Sequence, residues 1–160
     1  WSDEFFLQSF RVLWKNTVMY AFFSLHSIWT FIKSAKDAWF IVKNLLIWDK
    51  DWFGMWNNWR PNFEMILVLW NWRFLTKSKN KSNILKYRRI SPQKALHPTE
   101  KVISLLEELI IEPDYNPKII LDPFAWSFTT AIACENTNRK WICIEKDEKY
   151  FEIGTNRLMK

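Results

Sequence analysis

Glycine is scarce in this chain, whose 160 residues contain only Gly54 and Gly154, where average usage would give about eleven. Cysteine is as scarce, and Cys134 and Cys143 provide neither metal-ligand spacing nor a disulfide framework. We expect no signal peptide, and the apolar run over 16–32 is short for a membrane span and carries polar residues. These absences exclude a disulfide-rich secreted domain. We expect a cytoplasmic protein with no metal and no membrane partner.

Tryptophan, in contrast, occurs twelve times. Trp14 and Trp39 each follow a helical pattern and precede a strand, where a glycine usually ends the helix. Seven tryptophans are candidates for positions at which the gene encodes glycine: Trp14, Trp29, Trp39, Trp56, Trp70, Trp72 and Trp126. Glycine at all seven would give nine glycines and five tryptophans, a normal balance. We therefore hypothesise that the gene encodes glycine with UGA and that UGA was translated as tryptophan. UGG codons at these positions would instead indicate a genuinely tryptophan-rich protein.

Helical and strand patterns alternate along the chain, and 49% of the residues are apolar. This alternation predicts an α/β fold with a mainly parallel sheet and helices on both faces. The predicted helices cover 2–13, 27–38, 98–111, 128–136 and 147–158, and the predicted strands cover 17–23, 40–48, 63–69, 118–121 and 140–144. Because the chain begins at Trp1 without a methionine, we interpret it as part of a longer protein.

One segment, residues 73–96, is strongly basic. It holds eight cations and no acid, although the whole chain carries a net charge of only +6. Clustered cations of this kind contact phosphates and give salt-dependent binding to nucleic acid. Tyr87 stands among them and is a candidate for stacking on a base. The alternative is a solvated basic loop.

A strand, a tight turn and a helix follow one another around Asp122, and a second strand ends at Glu145, 23 residues later. Such a turn directs backbone N–H groups towards a ligand at the carboxyl edge of the sheet. A residue without a Cβ atom there lets the ligand approach the backbone. Glu145 stands where an acceptor for ribose hydroxyls is expected, and Asp147 would lie near a base. The pattern predicts a cofactor that contains a nucleoside.

Three motifs, in order, resemble those of the amino-group DNA methyltransferases, which use S-adenosylmethionine. The turn reads Asp122-Pro123-Phe124-Ala125-Trp126-Ser127-Phe128-Thr129-Thr130 and resembles the family's Asp-Pro-Phe-x-Gly-(Ser/Thr)-Gly-Thr-Thr. Residues 139–150 resemble the strand and acidic tip that follow it. Upstream, His97-Pro98-Thr99-Glu100-Lys101 resembles the family's His-Pro-Thr-x-Lys segment. Trp48-Asp49-Lys50 and the strand that holds Glu64 also resemble its middle region, so the resemblance spans nearly the whole chain.

The resemblance implies a Rossmann-like methyltransferase fold, incomplete here, with one catalytic domain over 1–160 and a target-recognition insert over 73–96. It implies methyl transfer from S-adenosylmethionine to an exocyclic amino nitrogen of adenine or cytosine in double-stranded DNA, as in restriction–modification systems. The implied cofactor contacts are His97, Thr99, Lys101, Asp122, Pro123, Phe124, Ala125, Trp126, Ser127, Thr129, Thr130, Glu145, Lys146 and Asp147. The implied DNA contacts are Arg73, Lys77, Lys79, Lys81, Lys86, Tyr87, Arg88 and Arg89.

Lys101 also has a rationale of its own. If a helix opens at Pro98, Lys101 lies in its first turn, where the helix N-terminus and the ammonium group together attract the methionine carboxylate. The alternative is a solvated surface lysine. For His97 the sequence identifies no partner.

The chain departs from the family pattern at two motif positions. Trp126 replaces the first glycine, and its indole would fill the space that the cofactor needs beside the backbone. Phe128 replaces the second glycine, and misread UGA codons do not explain a phenylalanine. The family's catalytic (Asp/Asn/Ser)-Pro-Pro-(Tyr/Phe) tetrapeptide is absent, since the six prolines include no Pro-Pro pair. We expect it upstream of Trp1, assign no catalytic residue, and expect this chain alone to be inactive.

Other functions stay open at this point. A degenerate, non-catalytic remnant that binds DNA would retain a real tryptophan at position 126. An RNA methyltransferase would share the cofactor site. A nicotinamide-dependent enzyme is disfavoured, because the turn does not supply G-x-G-x-x-G even with one glycine restored.

Overall fold

The computed structural model describes residues 1–52, 62–73, 75–91, 93, 100–114 and 119–159. The chain divides into two compact units, Trp1–Lys86 and Tyr87–Lys160. The first unit contains α1 (Ser2–Val12), β1 (Thr17–Phe23), a 3-10 turn (Leu25–Ser27), α2 (Ile28–Asp37), β2 (Ile41–Asp49), β3 (Phe63–Asn71) and β4 (Ile84–Lys86). The second contains α3 (Ile103–Ile111), β5 (Ile119–Asp122), α4 (Thr129–Asn136), β6 (Lys140–Cys143) and α5 (Glu148–Leu158). No helix in these described ranges has the length and apolarity needed to cross a membrane.

The sheet of the first unit has the strand order β1-β3-β2-β4. Strand β3 is antiparallel to both β1 and β2, while β4 is parallel to β2. Five consecutive residues of β3, Met65–Leu69, are buried. Since successive strand residues point to opposite faces, both faces of β3 are covered.

Aromatic side chains dominate the core of this unit. The buried Phe6 of α1 makes edge-to-face contacts with Phe31 of α2 at 5.4 Å and with Phe40 at 6.3 Å between ring centroids. Leu67 and Leu69 of β3 join the same cluster. The amphipathic helices predicted from the 3.6-residue period thus bury their apolar faces in this core.

The second unit is built on a β-α-β arrangement in which α4 connects the parallel strands β5 and β6. The register pairs Asp122 with Cys143, so the two strands end side by side. Ala125, Phe128 and Ala131 form a small buried cluster behind the turn between β5 and α4. Parallel pairing places both carboxyl ends at one edge of the sheet.

Three of the four strands in the sheet of the first unit, β1, β2 and β4, run in one direction, and β3 alone of these four is antiparallel, so the predicted mainly parallel sheet is observed as a mixed one. Strands β1 and β2, joined by α2, do run in the same direction, because both are antiparallel to β3. Strand β3, however, lies between them. Residues 50–62 connect β2 to β3, and antiparallel pairing of consecutive strands needs no long crossover connection. The α/β class itself is confirmed.

One helix boundary also differs from its prediction. Helix α3 begins at Ile103, and Val102 is its extended N-cap residue with ψ 132°. Residues 100–102 precede the helix, and Pro98 lies outside the described residues. Lys101 is therefore not in the first helical turn, and the part of its rationale that placed it there is wrong.

Candidate cofactor site

Asp122 fixes both ends of the turn that follows β5. One carboxylate oxygen accepts a hydrogen bond from the Phe124 N–H at 3.0 Å, and the other accepts from the Thr130 hydroxyl at 2.5 Å. The first contact is an Asx turn, and the second ties the start of α4 to the end of β5. The motif aspartate thus shapes the turn through its own side chain.

Glu145 lies directly beside this turn. Its Oε2 accepts from the Trp126 N–H at 2.9 Å, and its Oε1 accepts from the Asp147 N–H at 2.8 Å. The Ala125 N–H also donates to the Ile144 carbonyl at 3.0 Å. Each carboxylate oxygen has two lone pairs, so Glu145 retains acceptor capacity for the two hydroxyls of a ribose. The structure therefore places Glu145 directly beside the turn, as the sequence pattern predicted.

The backbone of the turn adopts left-handed conformations at two positions. Trp126 has φ 44° and Phe128 has φ 55°, on either side of the buried Ser127. A side chain in this region costs about 1–2 kcal/mol per residue, whereas glycine adopts it freely. The family motif has glycine at both positions, and the geometry gives the physical reason.

The two bulky residues of the turn differ in where their rings lie. The Trp126 indole is 43% exposed and makes an edge contact with Tyr150 at 6.0 Å between centroids. The Phe128 ring is 2% exposed and lies 5.6 Å from the Phe151 ring of α5. A Cβ atom on Gly154 would lie 2.6 Å from Phe128 Cγ. Gly154 thus provides the room for Phe128, and this departure from the motif is accommodated inside the unit.

The residues after Glu145 form the start of α5. Asp147 is the N-cap of the helix, and its carboxylate accepts from the Tyr150 N–H at 3.2 Å. Lys146 and Asp147 are both exposed. The Asp147 carboxylate therefore has a capping role that the sequence pattern did not reveal.

The third motif is only partly within the described residues, since His97 and Thr99 lie outside them. Lys101 is half-buried before α3. Its neighbour Glu100 is 2% exposed at the side chain and forms an ion pair with Arg157 of α5 at 2.6 Å. Arg157 also contacts Ser127 of the turn and Thr129 at the start of α4. This contact could not be predicted from the sequence, because an arginine in the last turn of a helix usually compensates the helix dipole.

Within the basic segment, most of the described cations are exposed, and Arg89 is half-buried. The exposed ones are Arg73, Lys77, Lys79, Lys81, Lys86 and Arg88. The Tyr87 hydroxyl donates to the carboxylate of Glu108 on α3, so this ring is tied to the protein. Lys94 lies outside the described residues.

A β-α-β unit with a left-handed turn after the first strand, and an acid at the end of the second, is the arrangement of Rossmann-like nucleoside-binding folds, to which S-adenosylmethionine-dependent methyltransferases belong. The comparison with known families agrees. The family model for N6 and N4 methyltransferases, described as DNA methylase, matches residues 1–156. The chain belongs to this DNA methylase family.

Two bacterial DNA methyltransferases are among the curated relatives of this chain. The Type II methyltransferase M.HindIII of Haemophilus influenzae is 39% identical over 90 residues, which are 56% of this chain and 29% of that protein. The DNA adenine methyltransferase YhdJ of Escherichia coli is 27% identical over 99% of this chain and 66% of its own length. The chain thus spans less than two thirds of the length of these relatives.

Solved structures support the fold. The M1.HpyAVI complex with S-adenosylmethionine has a TM-score of 0.84 and 26% identity, covering 98% of this chain and 81% of that one. The cytosine-N4-specific PvuII DNA methyltransferase has a TM-score of 0.76 at 16% identity, covering 99% of this chain and 71% of that one. The second likeness shows the fold alone.

Proposed function

We propose that this chain binds S-adenosylmethionine and serves a DNA methyltransferase that methylates an exocyclic amino nitrogen of adenine or cytosine. The observation that carries the proposal is the hydrogen bond from the Trp126 N–H to Glu145, which closes the turn against the acid at the end of β6. The solved relative M1.HpyAVI was crystallised with S-adenosylmethionine, and YhdJ is named a DNA adenine methyltransferase.

Each part of the cofactor has a candidate partner in the second unit. Glu145 would accept from the ribose hydroxyls, with Lys146 and Asp147 beside the base. Residues 122–130, which include Pro123, Phe124, Ala125 and Thr129, would surround the nucleoside and methionine. Lys101, with His97 and Thr99, would face the methionine carboxylate through charge attraction. When bound, S-adenosylmethionine supplies an electrophilic methyl group on a sulfonium sulfur.

Trp126 does not fit this arrangement as a tryptophan. Its backbone has the conformation that glycine favours, and its indole stands half-exposed at the turn. We propose that the native residue at position 126 is glycine. The indole would then be absent, and a nucleoside could contact the backbone of the turn.

The titration of S-adenosylmethionine by calorimetry tests the proposal. A Trp126→Gly chain is expected to bind S-adenosylmethionine but not NAD, whereas the chain with Trp126 is expected to bind neither. Circular dichroism and thermal unfolding would establish that both chains are folded. A folded Trp126→Gly chain that bound no S-adenosylmethionine would contradict the proposal, and a folded Trp126 chain that bound it tightly would show that the tryptophan is tolerated.

The nucleic-acid partner follows from the basic segment, which we propose acts as a target-recognition insert over 73–96 within one catalytic domain over 1–160. Its exposed cations would contact phosphates of double-stranded DNA in the cytoplasm.

Replacement of Lys79 by Gln should reduce the slope of log K against log salt by about 0.9 if Lys79 contacts one phosphate. Lys36→Gln on α2 provides the matched control. An unchanged slope in the Lys79 variant would exclude that contact, and a methylation assay would separate DNA from RNA.

A further inference from the structure

The guanidinium of Arg157 connects three segments of the second unit. Its Nη1 lies 2.6 Å from Glu100 Oε1, 3.2 Å from the Ser127 carbonyl oxygen and 3.2 Å from Thr129 Oγ1. The Ser127 hydroxyl is also near, at 3.4 Å. Arg157 lies in the last turn of α5, Glu100 precedes α3, Ser127 belongs to the turn after β5, and Thr129 is the first residue of α4. One side chain therefore joins α5, the Lys101 segment and the candidate cofactor turn.

The contacts around Arg157 are buried. The Glu100 side chain is 2% exposed, Ser127 is 1% exposed and Thr129 is 5% exposed, while the Arg157 side chain is 20% exposed. Arginine keeps its charge at any physiological pH. A carboxylate and a guanidinium removed from water are stable only when they are paired and hydrogen-bonded. The Glu100 carboxylate and the Arg157 guanidinium therefore hold each other in place, and both side chains have little conformational freedom.

The turn itself needs support because it contains two unfavourable residues. Ser127 stands between Trp126 and Phe128, both of which have left-handed backbones. Such conformations persist only where the surrounding structure over-determines them. The Arg157 contacts act on the carbonyl of Ser127 and on the hydroxyl of Thr129, the residues on either side of Phe128. The Arg157 contacts are thus placed to hold the backbone of Phe128 in its left-handed conformation.

We propose that Arg157 is a positioning residue for the cofactor site. It holds the turn over 126–129 in its left-handed form, and through Glu100 it fixes the segment that carries Lys101 relative to that turn. This role of Arg157 rests on the proposed function only for the identity of the ligand, S-adenosylmethionine. Arg157 itself acts through Ser127, Thr129 and Glu100, and is not assigned a contact with the cofactor or the target base.

Amide hydrogen exchange tests the positioning role without any cofactor. In an Arg157→Lys variant, which keeps the charge but holds its nitrogen one bond nearer to Cα than the Nη1 that makes these contacts, the amides of 126–130 should exchange about tenfold faster. The amides of β6 should exchange as in the parent chain. Arg139→Lys is the matched control, since Arg139 donates to the carbonyls of Thr137 and Asn138 outside the turn. A uniform rise over the whole unit, or no change at 126–130, would overturn the proposal.

A second experiment separates positioning from stability, and it uses the Trp126→Gly chain. Arg157→Gln alone leaves a buried Glu100 charge and should lower stability. The double variant Glu100→Gln with Arg157→Gln removes both charges and should recover stability, but its S-adenosylmethionine affinity should stay about tenfold weaker. Recovery of affinity together with stability would show that the pair is only structural. If the Trp126→Gly chain bound no S-adenosylmethionine, the proposed function would fail while the exchange experiment still decided the role of Arg157.

Discussion

Among the tryptophans that the structure describes, three have left-handed backbones: Trp39 at φ 72°, Trp72 at φ 84° and Trp126 at φ 44°. The first two expose 76% and 70% of their surface. At the end of α2, the Phe40 N–H donates to the Ala35 carbonyl around Trp39, which is the hydrogen-bond pattern of a glycine-ended helix. These are the backbones that glycine, and not tryptophan, adopts without strain.

Replacement of these residues by glycine should therefore stabilise the protein. Trp39→Gly and Trp72→Gly are each expected to raise the free energy of unfolding by about 1 kcal/mol, because they relieve left-handed strain. Trp29, which is 80% exposed within α2, is the control, and Trp29→Gly should lower stability by about 0.5 kcal/mol through helix propensity. Urea unfolding measures all three. A loss of stability at positions 39 and 72 would contradict glycine as the native residue there.

The geometry supports the glycine hypothesis at some of the seven positions more than at others. Trp14, Trp29 and Trp70 do not have left-handed backbones in the described part of the chain, and Trp56 lies outside it. The recoding hypothesis stays a prediction. The codons of the gene and the mass of the protein from its native host would test this hypothesis, since a glycine residue has a smaller mass than the tryptophan that it would replace.

The two cysteines are a second residue-scale test. Burial, reinforced by the charge of Asp122, raises the pKa of both the Cys134 and the Cys143 thiol from 9.0 to about 12. Both thiols should therefore react slowly with Ellman's reagent at pH 8 in the folded protein and quickly in urea. Because the folded pKa exceeds the unfolded one, their contribution to stability is present below pH 9 and is lost as the pH rises towards about 12. Rapid labelling of the folded chain would contradict this burial.

Helix α5 supports the turn through a face that the sequence did not identify. Phe151 contacts the ring of Phe128, Gly154 leaves space for that ring, and Arg157 binds the turn. These residues recur every three positions and lie on one face of the helix. Hydrophobic periodicity predicted the helix, but it could not show that a glycine and an arginine on that face serve the turn.

The close approach of Gly154 to Phe128 makes a sharp prediction. A Cβ atom at 154 would lie 2.6 Å from Phe128 Cγ, so Gly154→Ala should cost about 1–3 kcal/mol through overpacking. Phe128→Leu should relieve part of this cost in the double variant. Asn156→Ala, at an exposed position of the same helix, should have an effect within about 0.5 kcal/mol. Thermal and urea unfolding would measure the cycle, and additive effects would exclude the steric conflict.

At the scale of the whole molecule, the sequence predicted five of the six described strands, missed β4 inside the basic segment, and predicted the strand arrangement incompletely. The strand predicted over 17–23 is observed as Thr17–Phe23, and the turn and Glu145 meet as predicted. They meet because parallel strands joined by a helix end at the same edge of a sheet. The position of β3 between β1 and β2 depends instead on long-range pairing, which no local pattern encodes.

The site draws its candidate groups from separate parts of the second unit, and this explains what the sequence missed. Motif residues such as Asp122 and Glu145 lie near strand ends, where function can be read from position. Arg157 lies about thirty residues from Ser127 in the chain and acts only through tertiary contact. The family resemblance could supply the first kind of residue, whereas only the packing of α5 revealed the second.

The central claim is that Glu145 binds the sugar of S-adenosylmethionine beside the turn after β5. Calorimetry on the Trp126→Gly chain, with and without Glu145→Gln, tests it most directly, and Glu152→Gln on the exposed face of α5 is the matched control. Loss of a charged acceptor for two hydroxyls should weaken binding by about tenfold or more, while the Glu152 variant should bind as the parent chain does. Equal affinity in the Glu145→Gln and Glu152→Gln variants would contradict the claim.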